Sequence, residues 1–103
     1  MPLTVSSETE PMIQSQTGRP IRLLYFAWVR EKIGRGEEQV ELPPHIETIA
    51  DLIDWVKTRG PEYAAAFERS DVIRAAIDQR HVRHTARIDE AREIAFFPPV
   101  TGG

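Results

Sequence analysis

Ala95-Phe96-Phe97-Pro98-Pro99-Val100-Thr101-Gly102-Gly103 is the stretch on which the reading of this chain turns. It opens as the end of a strand, Glu93 to Phe97, with Ile94 and Phe96 on one face and Ala95 and Phe97 on the other. Pro98 and Pro99 fix φ and remove two backbone donors, so strand pairing has to stop there. The segment from Pro98 to Gly103 then reaches roughly 20 Å from the body, at about 3.3 Å per residue. Two terminal glycines leave a main-chain carboxylate with no side chain beside it, which suits a channel too narrow for any Cβ. The expected reactive group is therefore the carboxylate of Gly103, carried by a threading arm of Pro98, Pro99, Val100, Thr101 and Gly102. Fraying is the ordinary fate of a chain end. A Gly-Gly ending arises by chance in roughly one chain in 200, so the residues before the glycines carry the argument.

Working back from that strand, the chain has the punctuation of a small α+β domain. Ile21 to Phe26 reads as a strand, with Ile21, Leu23 and Tyr25 on one face and Arg22, Leu24 and Phe26 on the other. Trp28 to Ile33 suits a short helix that Gly34 and Gly36 stop. Glu38 to Leu42 alternates, Val40 and Leu42 inward against Gln39 and Glu41, and Pro43-Pro44 ends it. Thr48 caps the main helix with Asp51 at its third position. Ile49, Leu52, Ile53 and Val56 form its buried stripe, and Gly60-Pro61 is expected to close it. Tyr63 and Phe67, one turn apart, suggest a second short helix. Val72 to Val82 and Glu93 to Phe97 supply the remaining strands, and the polar connector between them stays unassigned. Met1 to Pro20 lacks apolar periodicity and is expected to be a disordered extension. The expected division is thus 1–20 extension, 21–97 domain and 98–103 tail.

The tail, read with Ala95-Phe96 before it, resembles that of the small sulfur-carrier subunit of molybdopterin synthase. Leu23-Leu24-Tyr25-Phe26-Ala27-Trp28-Val29-Arg30-Glu31-Lys32-Ile33-Gly34 looks like the first strand and short helix of that family. Ala75-Ala76-Ile77-Asp78-Gln79 is a weaker third block, in which the family more often has Asn at the position of Asp78. The resemblance runs from Ile21 to Gly103. Periodicity alone gives α+β. The resemblance implies a β-grasp, or ubiquitin-like, fold: a mixed four- to five-stranded sheet over one main helix, with an extended C-terminal tail.

It also implies a function. The carboxylate of Gly103 would be adenylated and converted to a thiocarboxylate. It would then deliver sulfur to a cyclic pyranopterin phosphate in the active site of a larger catalytic subunit, within a heterotetramer. The partners so implied are that large subunit, a ubiquitin-activating-like adenylating enzyme that uses ATP and magnesium, and a persulfide sulfurtransferase. This chain would bind no cofactor itself and would not be an enzyme on its own. Two alternatives stay open: a ubiquitin-like modifier joined to target lysines, and a sulfur carrier for another pathway such as thiazole synthesis. A sheet with a helix on one face needs one apolar face, so Phe97 and Phe26 look surplus to the core. They are the expected docking patch beside the tail, with Arg30 in support.

Other chemistries find little footing. The chain has 103 residues, 41% hydrophobic and 28% charged, as expected of one small globular domain. A net charge of −3 offers no case for nucleic acid or an anionic membrane. No apolar run approaches a membrane span and no signal peptide opens the chain, so a cytoplasmic location is expected. With no cysteine, disulfides, thiolate-bound zinc and thiol catalysis are excluded. His81 and His84 read as strand and turn residues and not as metal ligands. Asp51 and Asp54 read as helix-dipole compensation and a solvated face. Arg80-His81-Val82-Arg83-His84 reads as an ordinary strand end, and no nucleotide-binding loop is present.

Overall fold

Strand β1 (Arg19–Tyr25) buries Ile21, Leu23 and Tyr25 and turns Arg22 to solvent, as period-two alternation requires. The structure is a computed structural model that describes residues 18–99. From β1 the chain enters helix α1 (Ala27–Ile33), strand β2 (Glu37–Leu42), helix α2 (Ile49–Lys57) and helix α3 (Pro61–Ala66). A 3-10 turn (Ser70–Val72) leads to strands β3 (Arg74–Ile77), β4 (Arg80–Val82) and β5 (Glu93–Phe97). The five strands form one mixed sheet in the order β2-β1-β5-β3-β4. β5 lies parallel to β1 and antiparallel to β3, so the last strand occupies the middle of the sheet. This is the β-grasp expected from the tail and first-strand motifs.

The sequence places the domain start at Ile21, but β1 begins two residues earlier. Arg19 pairs with Leu42 and Pro20 with Glu41. The Arg19 guanidinium also donates to the carbonyls of Ala91 and Asp89. A proline in a central strand is tolerated here for a geometric reason. The N–H groups of Arg22 and Phe26 point toward the β5 side, to Arg92 O and Phe96 O. Pro20 shares that side, but β5 pairs with β1 only from Arg22 onward, so no ladder bond is lost.

Helix α2 starts where expected. Thr48 and Asp51 form a reciprocal capping box, each side chain accepting from the other's backbone N–H at 3.1–3.2 Å. Hydrogen bonds from the Glu47 and Thr48 backbone hold the Asp51 carboxyl below its ordinary range. Ile49, Leu52, Ile53 and Val56 are all buried. Its end differs from the expectation. The helix stops at Lys57 with Thr58 as C-cap, and Gly60-Pro61 opens α3, with Gly60 as N-cap and Pro61 in the first turn. The unassigned connector also has a role: Ile49 and Ala50 donate to the carbonyls of Ala86 and His84, completing the start of α2. Ile88 and Ala91 anchor it in the core.

One core cluster joins the helices to the inner face of the sheet. Phe96 is its hub, stacked 6.4 Å from Tyr25 and edge-on 5.0 Å from Phe67. The alternation that turns Val40 and Leu42 inward also turns Glu38 inward. Tyr25 Oη donates to its carboxylate at 2.7 Å, Tyr63 Oη at 2.8 Å, Arg59 at 2.8 Å and Arg35 at 3.1 Å. Arg59 in turn lies over the rings of Trp55 and Tyr63. Burial pushes the Glu38 carboxyl up. The hydrogen bonds from Tyr25, Tyr63 and Arg59 and the charge of Arg59 outweigh that and hold it below its ordinary value. The same burial, with Glu38 beside it, raises the Tyr25 phenol.

Candidate functional site

β5 leads straight from the centre of the core to the tail. Its last ladder partner is Arg74, opposite Phe97, and Pro98 and Pro99 follow half-buried and outside any regular element. The sheet register brings four residues into a row on the face away from the helices: Leu24, Ala95, Ala76 and His81. Ala76 and Ala95 are buried, yet they stand outside the core cluster, covered by their neighbours on the open face. Phe97 lies on this same face, half-buried, and its ring sits 5.0 Å from that of His81. The two alanines make a shallow apolar floor, bounded by Leu24 on one side and by Phe97 and His81 on the other.

Of the expected docking residues, Phe26 and Phe97 follow the last β1–β5 pair, Tyr25 with Phe96, and so stand at the same end of the sheet. Phe97 stands beyond the core on the open face, where the strand alternation puts it. Phe26 is the N-cap of α1 and 47% exposed, and its N–H bonds to Phe96 O at 3.1 Å, which ties the helix start to β5. No ring contact joins Phe26 to Phe97 among the described residues. Arg30 is exposed on α1, and its guanidinium lies against Gly36, where an added Cβ would meet it at 3.3 Å. The tail positions Val100, Thr101, Gly102 and Gly103 lie outside the described residues.

Two features of this region escaped the sequence reading. His81 has no local signal of its role: the register of β4 on β3 places it beside Phe97. His84 was read as a surface turn residue. It is half-buried, and its Nε2 donates to Ile73 O at 2.7 Å while its own carbonyl caps α2. The two histidines thus have separate partners, and among the described residues no three His, Asp or Glu side chains group as a metal site. Nor is any described helix long and apolar enough to cross a membrane.

Together these features define a class: a ubiquitin-like β-grasp domain whose central strand runs out into a proline-led arm beside an apolar sheet face. The sequence profile of the ThiS family matches residues 23–103, and the chain belongs to that family. It is similar to the molybdopterin synthase sulfur carrier subunit of Escherichia coli (strain K12), at 34% identity over 83 residues, covering 81% of this chain and 99% of that protein. The protein of the same description from Haemophilus influenzae is 32% identical over 83 residues, with the same coverage. Among solved structures, the putative molybdopterin converting factor subunit 1 from Pyrococcus furiosus has a TM-score of 0.62 at 27% identity, covering 79% of this chain and 98% of its own. Small archaeal modifier protein 1 from Haloferax volcanii, at 21% identity and a TM-score of 0.62, covers 81% of this chain and 100% of its own and shares the fold.

Proposed function

We propose that this chain is a sulfur carrier in molybdopterin biosynthesis, with the carboxylate of Gly103 as the group that is loaded and discharged. One observation carries the reading. The strand that ends in Phe-Pro-Pro-Val-Thr-Gly-Gly is the central strand β5, so the arm springs from the best-anchored part of the fold. A tail that must present one atom to successive active sites needs a fixed base, since misplacement of even ~1 Å can cost a hundredfold in rate. The 32–34% identity to proteins described as molybdopterin synthase sulfur carrier subunits supports the same reading.

A carboxylate is a poor electrophile, so it must first be activated. In the adenylating partner, the Gly103 carboxylate attacks the α-phosphorus of ATP, expels pyrophosphate and becomes an acyl-adenylate. The terminal sulfur of a persulfide then attacks the carbonyl carbon and AMP leaves. Attack by a thiol on the resulting S–S bond forms a disulfide and frees the thiocarboxylate, a soft nucleophile near neutral pH. In the large synthase subunit that sulfur attacks the pterin precursor, and two carriers in succession supply a dithiolene. This chain has no cysteine, so any sulfur it carries sits on another group, which accords with the Gly103 carboxylate. Its own contribution is the arm, the Phe97 face and the rigid strand behind them; the acid and base groups belong to its partners.

Deleting Gly103 tests this. The variant should fold as the parent does and retain part of its affinity for the large subunit, while molybdopterin formation in a reconstituted assay is lost. Normal product formation by the shortened chain would show that sulfur does not travel on Gly103.

A further inference from the structure

The open sheet face does not end at His81. Two adjoining depressions, of about 460 and about 540 Å³, share Arg74, Val82 and Arg83 and together form a groove along the β4 edge of the sheet. Ile73, Val82 and Pro99 give the groove an apolar floor, and Arg74 and Arg83 stand on its rim, with His81 and His84 beside them. Pro99, the last described residue, lines this groove.

What marks the rim is position: Arg74 and Arg83 stand together on one groove. Like Arg19, Arg30, Arg80 and Arg92, they form no salt bridge among the described residues, but only these two share the groove lining on both sides of Val82. Asp71, the carboxylate at the groove, is taken by Arg69 at 3.4 Å. Two cations on one apolar groove favour an anionic partner. On a chain of net charge −3, this is a local feature and not a general affinity for polyanions. Any protein that takes up the arm must close over Pro99, and therefore over the groove.

We propose that the Arg74–Arg83 rim docks an acidic segment of the large synthase subunit, one that bears an apolar residue for the Val82–Pro99 floor. This rests on the sulfur-carrier reading and adds to it a second contact, on the side of the tail away from Phe26. Charges placed so act first on encounter: they raise the association rate and make it salt-dependent, while the apolar contacts set the dissociation rate.

The test uses the full chain and the large subunit encoded in the same genome, with association followed by stopped-flow at low and at physiological salt. Arg74→Glu/Arg83→Glu should associate about tenfold or more slowly at low salt, with a flattened salt dependence, while its melting temperature stays near that of the parent. Arg74→Lys/Arg83→Lys should restore most of the rate. Should the charge reversal unfold the domain, Arg74→Gln/Arg83→Gln serves in its place and should show a smaller loss of the same kind. A parent that binds, with a variant that associates at the same rate and salt slope, overturns the docking site and leaves the carrier reading standing. A parent that does not bind the large subunit at all overturns both. If the charge reversal abolishes binding of a labelled oligouridylate and leaves association with the large subunit unchanged, the groove is a nucleic-acid site and the proposal fails.

Discussion

Glu38 shows how much one side chain decides. Its side chain is 6% exposed, and its carboxylate gathers two tyrosine hydroxyls and two arginines, tying β2 to β1, α3 and the end of α2. Glu38→Gln keeps the size but removes the charge those donors face, and should cost about 3 kcal/mol in equilibrium unfolding. The sign with pH follows from the lowered carboxyl. Its ionised form contributes fully above the ordinary value of 4.5, and that contribution is lost as pH falls from there through the lower folded value. The gap in stability between the parent and Glu38→Gln should therefore narrow on acidification; a constant gap would mean that the charge is not what stabilises. Phe97 behaves in the opposite way. It stands outside the core cluster, so Phe97→Ala should cost only about 1 kcal/mol of stability, against the 3–5 of a buried phenylalanine. Its affinity for the large subunit should fall about thirtyfold, as for an aromatic anchor. A titration and an unfolding curve on the same variant separate the two roles, and a large loss of stability at unaltered affinity would return Phe97 to the core.

At the scale of elements, the turn between β3 and β4 repays attention. Asp78 and Gln79 both have positive φ, 47° and 73°, the pattern of a type I′ hairpin. The Asp78 carboxylate also accepts from the N–H groups of Arg92 and Glu93 at 3.1 Å, which fastens the hairpin to the start of β5. Asn offers the same acceptor and tolerates positive φ, so Asp78→Asn should change stability by less than about 0.5 kcal/mol. Asp78→Ala loses both bonds and strains the turn, and should cost about 2 kcal/mol. Equal melting temperatures for the two variants would contradict this account. Elements with a local signal were legible in the sequence: the Thr48 box, the α2 stripe and the alternation in β1 and β2 each need only neighbours in the chain. What stayed illegible depends on distant partners. The connector's use as a cap for α2 is invisible until His84 and Ala86 meet Ile49 and Ala50. Gly60-Pro61 fits the end of one helix as well as the start of the next. The inward turn of Glu38 was implied by the reading of Val40 and Leu42, but its four donors come from separate parts of the chain. In the candidate site, alternation put Phe97 on the open face, whereas the His81 and Arg74 that flank it required the register of β3 and β4.

Across the whole molecule, stability and the proposed chemistry belong to different parts. The sheet and helices hold β5 in place, the open face and its groove are the proposed partner contacts, and the proposed reacting group is the Gly103 carboxylate. Substitutions in the core should thus alter the amount of folded carrier without altering its rate per folded molecule, and changes in the arm should do the reverse. Sulfur loading can be read by mass spectrometry of the intact chain after incubation with ATP, magnesium, the adenylating enzyme and a persulfide donor. A sulfur carrier should show the mass increment for one oxygen replaced by sulfur, located by fragmentation at Gly103 and absent when ATP is omitted. An unchanged mass at Gly103, with this chain instead recovered in amide linkage to lysines of other proteins, would contradict the carrier reading.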